Sequence, residues 1–195
     1  MAKIYVIMGK SSTGKDTIYK HLKEMPESEF NTVTMYTTRP LRQGESNGRE
    51  YFFTTEEELK KYEEDGKIIE LRAYNTVHGV WKYFTLDDGQ INLESDNKYL
   101  IIATLEAYRK YLEYYGKEVV VPIYIEVEDS IRIHRAISRE DAQDAPKYAE
   151  MCRRYLADEE DFSEENIKAL GITKRYFNHD LEKCINDIMA DVTSF

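Results

Sequence analysis

Cysteine is scarce in this sequence: the 195 residues hold two, Cys152 and Cys184, too few for the disulfide framework of a small secreted domain. Both fall in stretches with helical spacing, which suits small core residues in a reducing compartment. The four histidines, His21, His78, His134 and His179, have no metal-ligand spacing with one another or with either cysteine, which argues against a structural zinc site. No apolar run approaches the ~20 residues that a bilayer span needs. The opening MAKIYVIMGK passes from one lysine straight into a strand and a glycine turn, without a cleavage pattern. The expectation is a cytoplasmic protein with no membrane partner. Basic residues are the minority, 27 Lys+Arg against 37 Asp+Glu for a net charge of −10. Excess acid repels polyanions, so a nucleic-acid groove would need basic residues concentrated against the trend, and no nucleic-acid partner is expected. Pro-rich or Gly/Ser-rich linkers and internal repeats are also missing.

What is present is core material. A charged fraction of 33% could signal disorder, but 16 Tyr, 7 Phe and runs such as VVVPIYIEV (119–127) supply ample apolar surface to bury. The run KIYVIM (3–8) ends at Gly9, and from Lys15 a helix follows with Ile18, Tyr19 and Leu22 on one face. Thr55 with Glu58 makes a capping box for the helix TEEELKKYEEDG, and Gly66 stops it. Residues 67–84 read as short strands around a turn at Gly79. KYLIIAT (98–104) and residues 119–127 flank the helix-like LEAYRKYLEYYGK, the pattern of buried parallel strands joined by a crossover. Helices are expected over 129–140 and 144–162, a short strand over 174–178, and a last helix from Asp180 to about Val192. The fold class is therefore α/β, a parallel sheet flanked by helices, with residues 33–84 forming a mixed inserted lobe.

Residues 9–15 read G-K-S-S-T-G-K, which matches the phosphate loop G-x-x-x-x-G-K and lies between a strand and a helix as its mechanics demand. Gly9 and Gly14 permit the tight backbone, and the amides around Ser11, Ser12, Thr13 and Thr17 can point at phosphate oxygens, aided by the helix dipole. Lys15 reaches the β and γ phosphates, so a nucleotide such as ATP is the expected ligand. The position after the lysine usually offers a hydroxyl to Mg²⁺, and here it is Asp16, followed by Thr17. The carboxylate can bind the metal, directly or through water, or simply cap the helix.

From Thr37 the chain reads T-T-R-P-L-R-Q-G-E-S-N-G-R-E-Y-F-F. Arg39, Arg42 and Tyr51 can converge on one phosphate, although composition alone would favour an exposed basic turn. This stretch resembles the guanylate kinase signature T-T-R-x-x-R-x-G-E-x-x-G-x-x-Y-x-F, at the family's usual distance after the phosphate loop, and the similarity extends more weakly over the whole chain. The resemblance implies a P-loop core of residues 1–32 and 85–195, a nucleoside-monophosphate-binding lobe of residues 33–84 and a lid over about 132–154. It also implies that Arg39, Arg42 and Tyr51 grip the acceptor phosphate, that Glu70 reads the guanine N1 and N2 groups, and that His78 stands where a second phosphate-binding Tyr is usual. In R-I-H-R-A-I-S-R, Arg132, Arg135 and Arg139 share one helix face. Arg135 and Arg139 resemble the lid arginines, Arg154 the arginine that closes over the transferred phosphoryl, and Asn178 an Asn near the donor adenine. A solvated helix face explains the same spacing, and Arg153 is an adjacent alternative.

The departures fall on the base. Met35 replaces the serine that reads guanine O6, Val80 a polar residue, and Thr104 a strand-end Asp. The resemblance thus implies a cytoplasmic, Mg²⁺-dependent kinase of purine nucleotide metabolism, a monomer or homodimer, that transfers the ATP γ-phosphoryl to a nucleoside monophosphate, GMP first. Arg39, Arg135, Arg139, Arg154 and Lys15 would be its catalytic set. Two alternatives stay open. One is a related kinase of a sugar phosphate such as ribose 1,5-bisphosphate, because some carry G-K-D where this chain has Gly14, Lys15 and Asp16. The other is a non-catalytic guanylate-kinase-like binding module.

Overall fold

The computed structural model describes residues 1–76 and 79–193. Five parallel strands form the main sheet in the order β2-β7-β1-β8-β9. They are β1 (Lys3–Met8), β2 (Phe30–Thr32), β7 (Lys98–Ile102), β8 (Val120–Glu126) and β9 (Tyr176–Phe177). The central strand shows why its sequence is a continuous apolar run: both of its faces are covered. Ile4, Val6 and Met8 point into one core with Tyr108 and Tyr111 of α3 (Leu105–Tyr115) and with Ile167 of α6 (Glu164–Ala169). Tyr5 and Ile7 point into a second core with Ile18 and Leu22 of α1 (Lys15–Glu24) and Ile185 and Ile188 of α7 (Leu181–Thr193). Ile18 and Leu22 are fully buried, so truncating either to Ala costs about 2–5 kcal/mol.

A second sheet, β4-β3-β6-β5, follows the first helix. Its strands are β3 (Tyr36–Thr37), β4 (Phe52–Phe53), β5 (Ile68–Thr76) and β6 (Gly79–Leu86). One face packs on α2 (Glu56–Glu64) through Leu59, Phe84, Leu86, Tyr36, Tyr62 and Leu71. The capping box is present in full: Thr55 Oγ1 accepts from the Glu58 amide, and Glu58 accepts from the Thr55 amide. By strand alternation the opposite face carries Glu70, Arg72 and Tyr74. Helices α4 (Asp129–Asp141) and α5 (Tyr148–Asp161) follow β8 and lie against each other.

The expected α/β fold is observed, with differences in detail. Residues 67–84 hold two long paired strands rather than several short ones. The helix expected from 144 begins at Tyr148, beyond Pro146, because proline disfavours helical backbone in the residue before it. β2 and α6 were not expected, being three and six residues long, too short for a period to register. Cys184 is buried, but Cys152 is exposed on α5, so the expectation of two core cysteines holds for one only. Among the described residues no helix is long and apolar enough to cross a membrane.

Candidate functional site

The loop between β1 and α1 is wrapped so closely that its glycines are obligatory. A Cβ on Gly9 would fall 2.5 Å from the Ile125 carbonyl oxygen, and one on Gly14 would fall 2.3 Å from Asn178 Nδ2. Gly14, at φ 87°, also takes a left-handed conformation as the N-cap of α1. Ser12 holds a left-handed conformation without being glycine, at φ 65°, a strained geometry of the kind that collects at functional sites. Its hydroxyl is buried without a hydrogen-bond partner among the described residues. Thr13 Oγ1 donates to the Lys10 carbonyl, and Asn178 Nδ2 donates to the Thr13 carbonyl at 2.8 Å. Arg135 donates to the Asn178 carbonyl at 3.1 Å, so Asn178 and Arg135 are tied to the loop. Arg139 and Arg154 line a small gap together with Ser11, Ser12, Met151 and Tyr155.

Lys15 opens α1, half-buried, with no ion pair among the described residues. Asp16 and Thr17 are exposed on the same turn. Asp16 does not cap the helix, which has no side-chain cap at all, so the helix-cap alternative for Asp16 is corrected. No group of three or more His, Cys, Asp or Glu side chains among the described residues could cage a metal. Asp16 is a single exposed carboxylate beside the loop, and Mg²⁺ commonly takes one or two carboxylates plus substrate phosphates and water. Thr104 caps α3, accepting from the Ala107 amide.

Counter-charges reach the loop from α5. The Ser11 amide donates to Asp158 Oδ2 at 2.6 Å, and Lys10 pairs with Glu159 at 2.7 Å. Arg132, fully buried, joins them: it donates to the Ser11 carbonyl, pairs with Asp129 and Glu159, and stacks 4.6 Å over the Tyr155 ring. The solvated-face explanation therefore fails for Arg132, while Arg139 is exposed. Among the described residues Arg153, exposed, pairs with Glu150 in its own helix. Arg154 lies 3.6 Å from Glu140 and Glu150. Asp158 and Glu159 were missed in the sequence; the signal available was an acidic run one and two turns after Arg154.

The second sheet gathers the other set. Arg39, only 4% exposed, forks onto Glu45 through Nη1 and Nη2 at 2.7 and 2.5 Å and stacks on the Tyr51 and Phe53 rings at 5.2 Å each. Hydrogen bonds to Glu45 hold the guanidinium above its usual pKa, and the same fork pulls the Glu45 carboxyl down to about 2. Burial raises the Tyr51 phenol. Arg42 is exposed, its guanidinium 5.7 Å from the Trp81 ring centre. Glu70 is 2% exposed and pairs with Arg72, a residue the sequence reading passed over. Its place two residues after Glu70 on a strand was the available signal. His78 lies outside the described residues. Lys15, Arg135, Arg139 and Arg154 share no hydrogen bond or ion pair with Arg39, Arg42, Tyr51 or Glu70, so the described site is two separate clusters.

Comparison with known proteins accords with this geometry. Residues 1–81 match the family model described as guanylate kinase. A guanylate kinase of Caldanaerobacter subterraneus subsp. tengcongensis is 34% identical over 119 residues, 60% of this chain and 55% of that protein. A guanylate kinase of Oceanobacillus iheyensis is 34% identical over 91 residues, 45% of this chain and 44% of that protein. The matched stretches thus span about half the length of these relatives or less. The crystal structure of guanylate kinase from Anaplasma phagocytophilum superposes with a TM-score of 0.63 over 99% of this chain and 85% of that one, at 20% identity. Over its first 81 residues the chain is thus similar in sequence to guanylate kinases, and along its length it shares their fold.

Proposed function

We propose that the protein transfers the γ-phosphoryl group of ATP to GMP, giving ADP and GDP. The observation that carries this reading is the phosphate loop, whose lysine and Ser12 hydroxyl have no partner among the described residues, ringed by Arg135, Arg139 and Arg154. In this reading the loop amides and Lys15 hold the donor phosphates, and Asn178 braces the loop at the adenine end. Arg39, Arg42 and Tyr51 hold the acceptor phosphate and Glu70 meets its base. One acceptor phosphate oxygen forms a bond to the γ phosphorus as the bond to the β-bridging oxygen breaks. The chain's task is positioning and charge neutralisation, with the arginines of α4 and α5 opposing the charge in flight. Mg²⁺, when bound, would neutralise charge on the donor phosphates, and Asp16 is the carboxylate that would hold it, directly or through water.

Residues 33–84 would then move as the acceptor lobe and about 132–154 as the lid, excluding water that would otherwise intercept the phosphoryl. A coupled ADP-release assay with ATP and Mg²⁺ against GMP, dGMP, AMP, CMP, UMP and ribose 1,5-bisphosphate tests the reading. GMP-dependent ADP release supports it; release with the sugar phosphate alone overturns it.

A further inference from the structure

The phosphate loop is already engaged by an anion of its own chain. The Ser11 amide, one of the groups expected to meet a phosphate oxygen, donates to Asp158 Oδ2 at 2.6 Å, and Lys10 pairs with Glu159 at 2.7 Å. Arg132, next to them, is only partly used. Of its guanidinium nitrogens, Nε donates to the Ser11 carbonyl at 3.2 Å, and Nη1 donates to Asp129 at 2.6 Å and to Glu159 at 2.7 Å. Nη2, with two further N–H groups, is buried and has no hydrogen-bond partner among the described residues. Buried donors are rarely left this way in native proteins. One carboxylate stands just beyond its reach: Asp158 Oδ2, the oxygen that holds Ser11, lies 3.7 Å from Nη2, the two side chains being 18% and 1% exposed.

One oxygen therefore sits between two donors and reaches only the first. A shift of about 1 Å exchanges its bond to the Ser11 amide for a charge-assisted bond to Arg132. We propose that Arg132 is a positioning residue of the donor site: when a nucleoside triphosphate brings a phosphate oxygen to the Ser11 amide, Asp158 passes to Arg132 Nη2. The loop is then freed without stranding a carboxylate beside the incoming charge, which would cost the bond that Asp158 gives up. The exchange also adds a bond between α4 and α5, the helices that carry Arg135, Arg139 and Arg154. Donor binding thus fastens together the arginines that the proposed reaction needs in place. This rests on the donor-site reading above and goes further by naming the residues that set donor affinity.

A double-mutant cycle, read by calorimetric titration of the full chain with ATP and with GMP as control, tests it. The variants are Asp158→Asn, Arg132→Lys and the two combined, each with its Tm. Asp158→Asn should tighten ATP about 3- to 10-fold and leave GMP within about twofold. Arg132→Lys keeps the charge that Asp129 and Glu159 need but loses the second terminal nitrogen, and should weaken ATP about 3- to 10-fold. In the Asp158→Asn background the same change should cost less than about twofold, because no charge is left to reseat. A purely structural role for Arg132 would weaken ATP equally in both backgrounds, and that result overturns the inference. So does an Asp158→Asn variant that leaves ATP affinity unchanged or lowers it, or that tightens GMP as much as ATP. A crystal structure of the wild type with a non-hydrolysable ATP analogue needs no variant to fold. Asp158 Oδ2 should lie within about 3.2 Å of Arg132 Nη2 and away from the Ser11 amide; Asp158 still on Ser11 overturns the inference alone. Wild type that binds no ATP overturns the proposed function and the inference with it.

Discussion

The phosphate loop and the face proposed to hold the acceptor both set hydrogen-bond donors against carboxylates, but the carboxylates come from different distances along the chain. At the loop, Ser11 meets Asp158 and Lys10 meets Glu159, partners 147 and 149 residues away on another helix. On the acceptor face, Arg39 meets Glu45 six residues on, and Arg72 meets Glu70 two residues back. If about 132–154 moves as the proposed lid, counter-charges carried by α5 would leave the loop with it. Those on the acceptor face travel with the cations they hold. In the proposed reaction a donor phosphate would have to compete with Asp158 for the Ser11 amide, whereas an acceptor phosphate would meet Arg39 already held by its own segment.

Lys15 stands outside both arrangements, and its loss should have the largest effect. Lys15→Ala is expected to lower kcat by about 10²–10³, the usual cost of removing one electrostatic contact to charge that develops in the transition state. Because the side chain has no partner among the described residues to strand, Tm should change little. A folded variant with wild-type kcat would sink the kinase reading.

Arg42 sharpens the contrast from the acceptor side. Exposed, and with its guanidinium in no ion pair among the described residues, it is free to meet a phosphate, and its charge-assisted contact is strong. Arg42→Ala should raise the GMP KM about 10- to 100-fold and leave the ATP KM within about twofold. Parallel movement of both constants in steady-state kinetics would make Arg42 a scaffold residue.

What was legible in the sequence follows the same division between near and far. The phosphate loop, the Thr55 capping box and the buried strands announce themselves because their causes lie within a few residues: glycine backbone, a side chain reaching its own helix, an unbroken apolar run. Arg39, Arg42 and Tyr51 were also recognised within one short segment, and Arg39 and Tyr51 do touch. Asp158 was not legible, because an acidic residue on a helix says nothing about a loop amide nearly the whole chain away. Arg72 was missed for another reason. Its partner is two residues distant, but only the strand assignment turns that spacing into a shared face. The strand β2 and helix α6 escaped because three and six residues hold too little pattern.

Asp158 provides the direct test of a removable counter-charge. Asp158→Asn keeps an oxygen for the Ser11 amide but removes the negative charge beside the phosphate site. ATP should then bind about 3- to 10-fold more tightly, in keeping with the modest value of a partly exposed charge. Weaker ATP binding by calorimetry, with the fold intact, would show instead that Asp158 shapes the loop for its ligand.

Glu45 should give the smallest effect, seen in stability rather than rate. Its carboxyl falls to about 2 in the folded chain, against an ordinary value of 4.5, mainly through the hydrogen bonds from Arg39. A depressed carboxylate stabilises the fold fully above its unfolded pKa and loses that contribution as pH falls towards the folded one. The Tm difference between wild type and Glu45→Gln should therefore stay constant from pH 7 to about 5 and then shrink between about 4.5 and 2, because protonation turns the wild-type side chain into a neutral acceptor like the variant's amide. Glu45→Gln should also loosen Arg39 and raise the GMP KM by a few-fold, since the fork that fixes the guanidinium is lost. A Tm difference that widens on acidification would contradict the pairing, because it would mean that the neutral carboxyl, not the carboxylate, is the form the fold prefers.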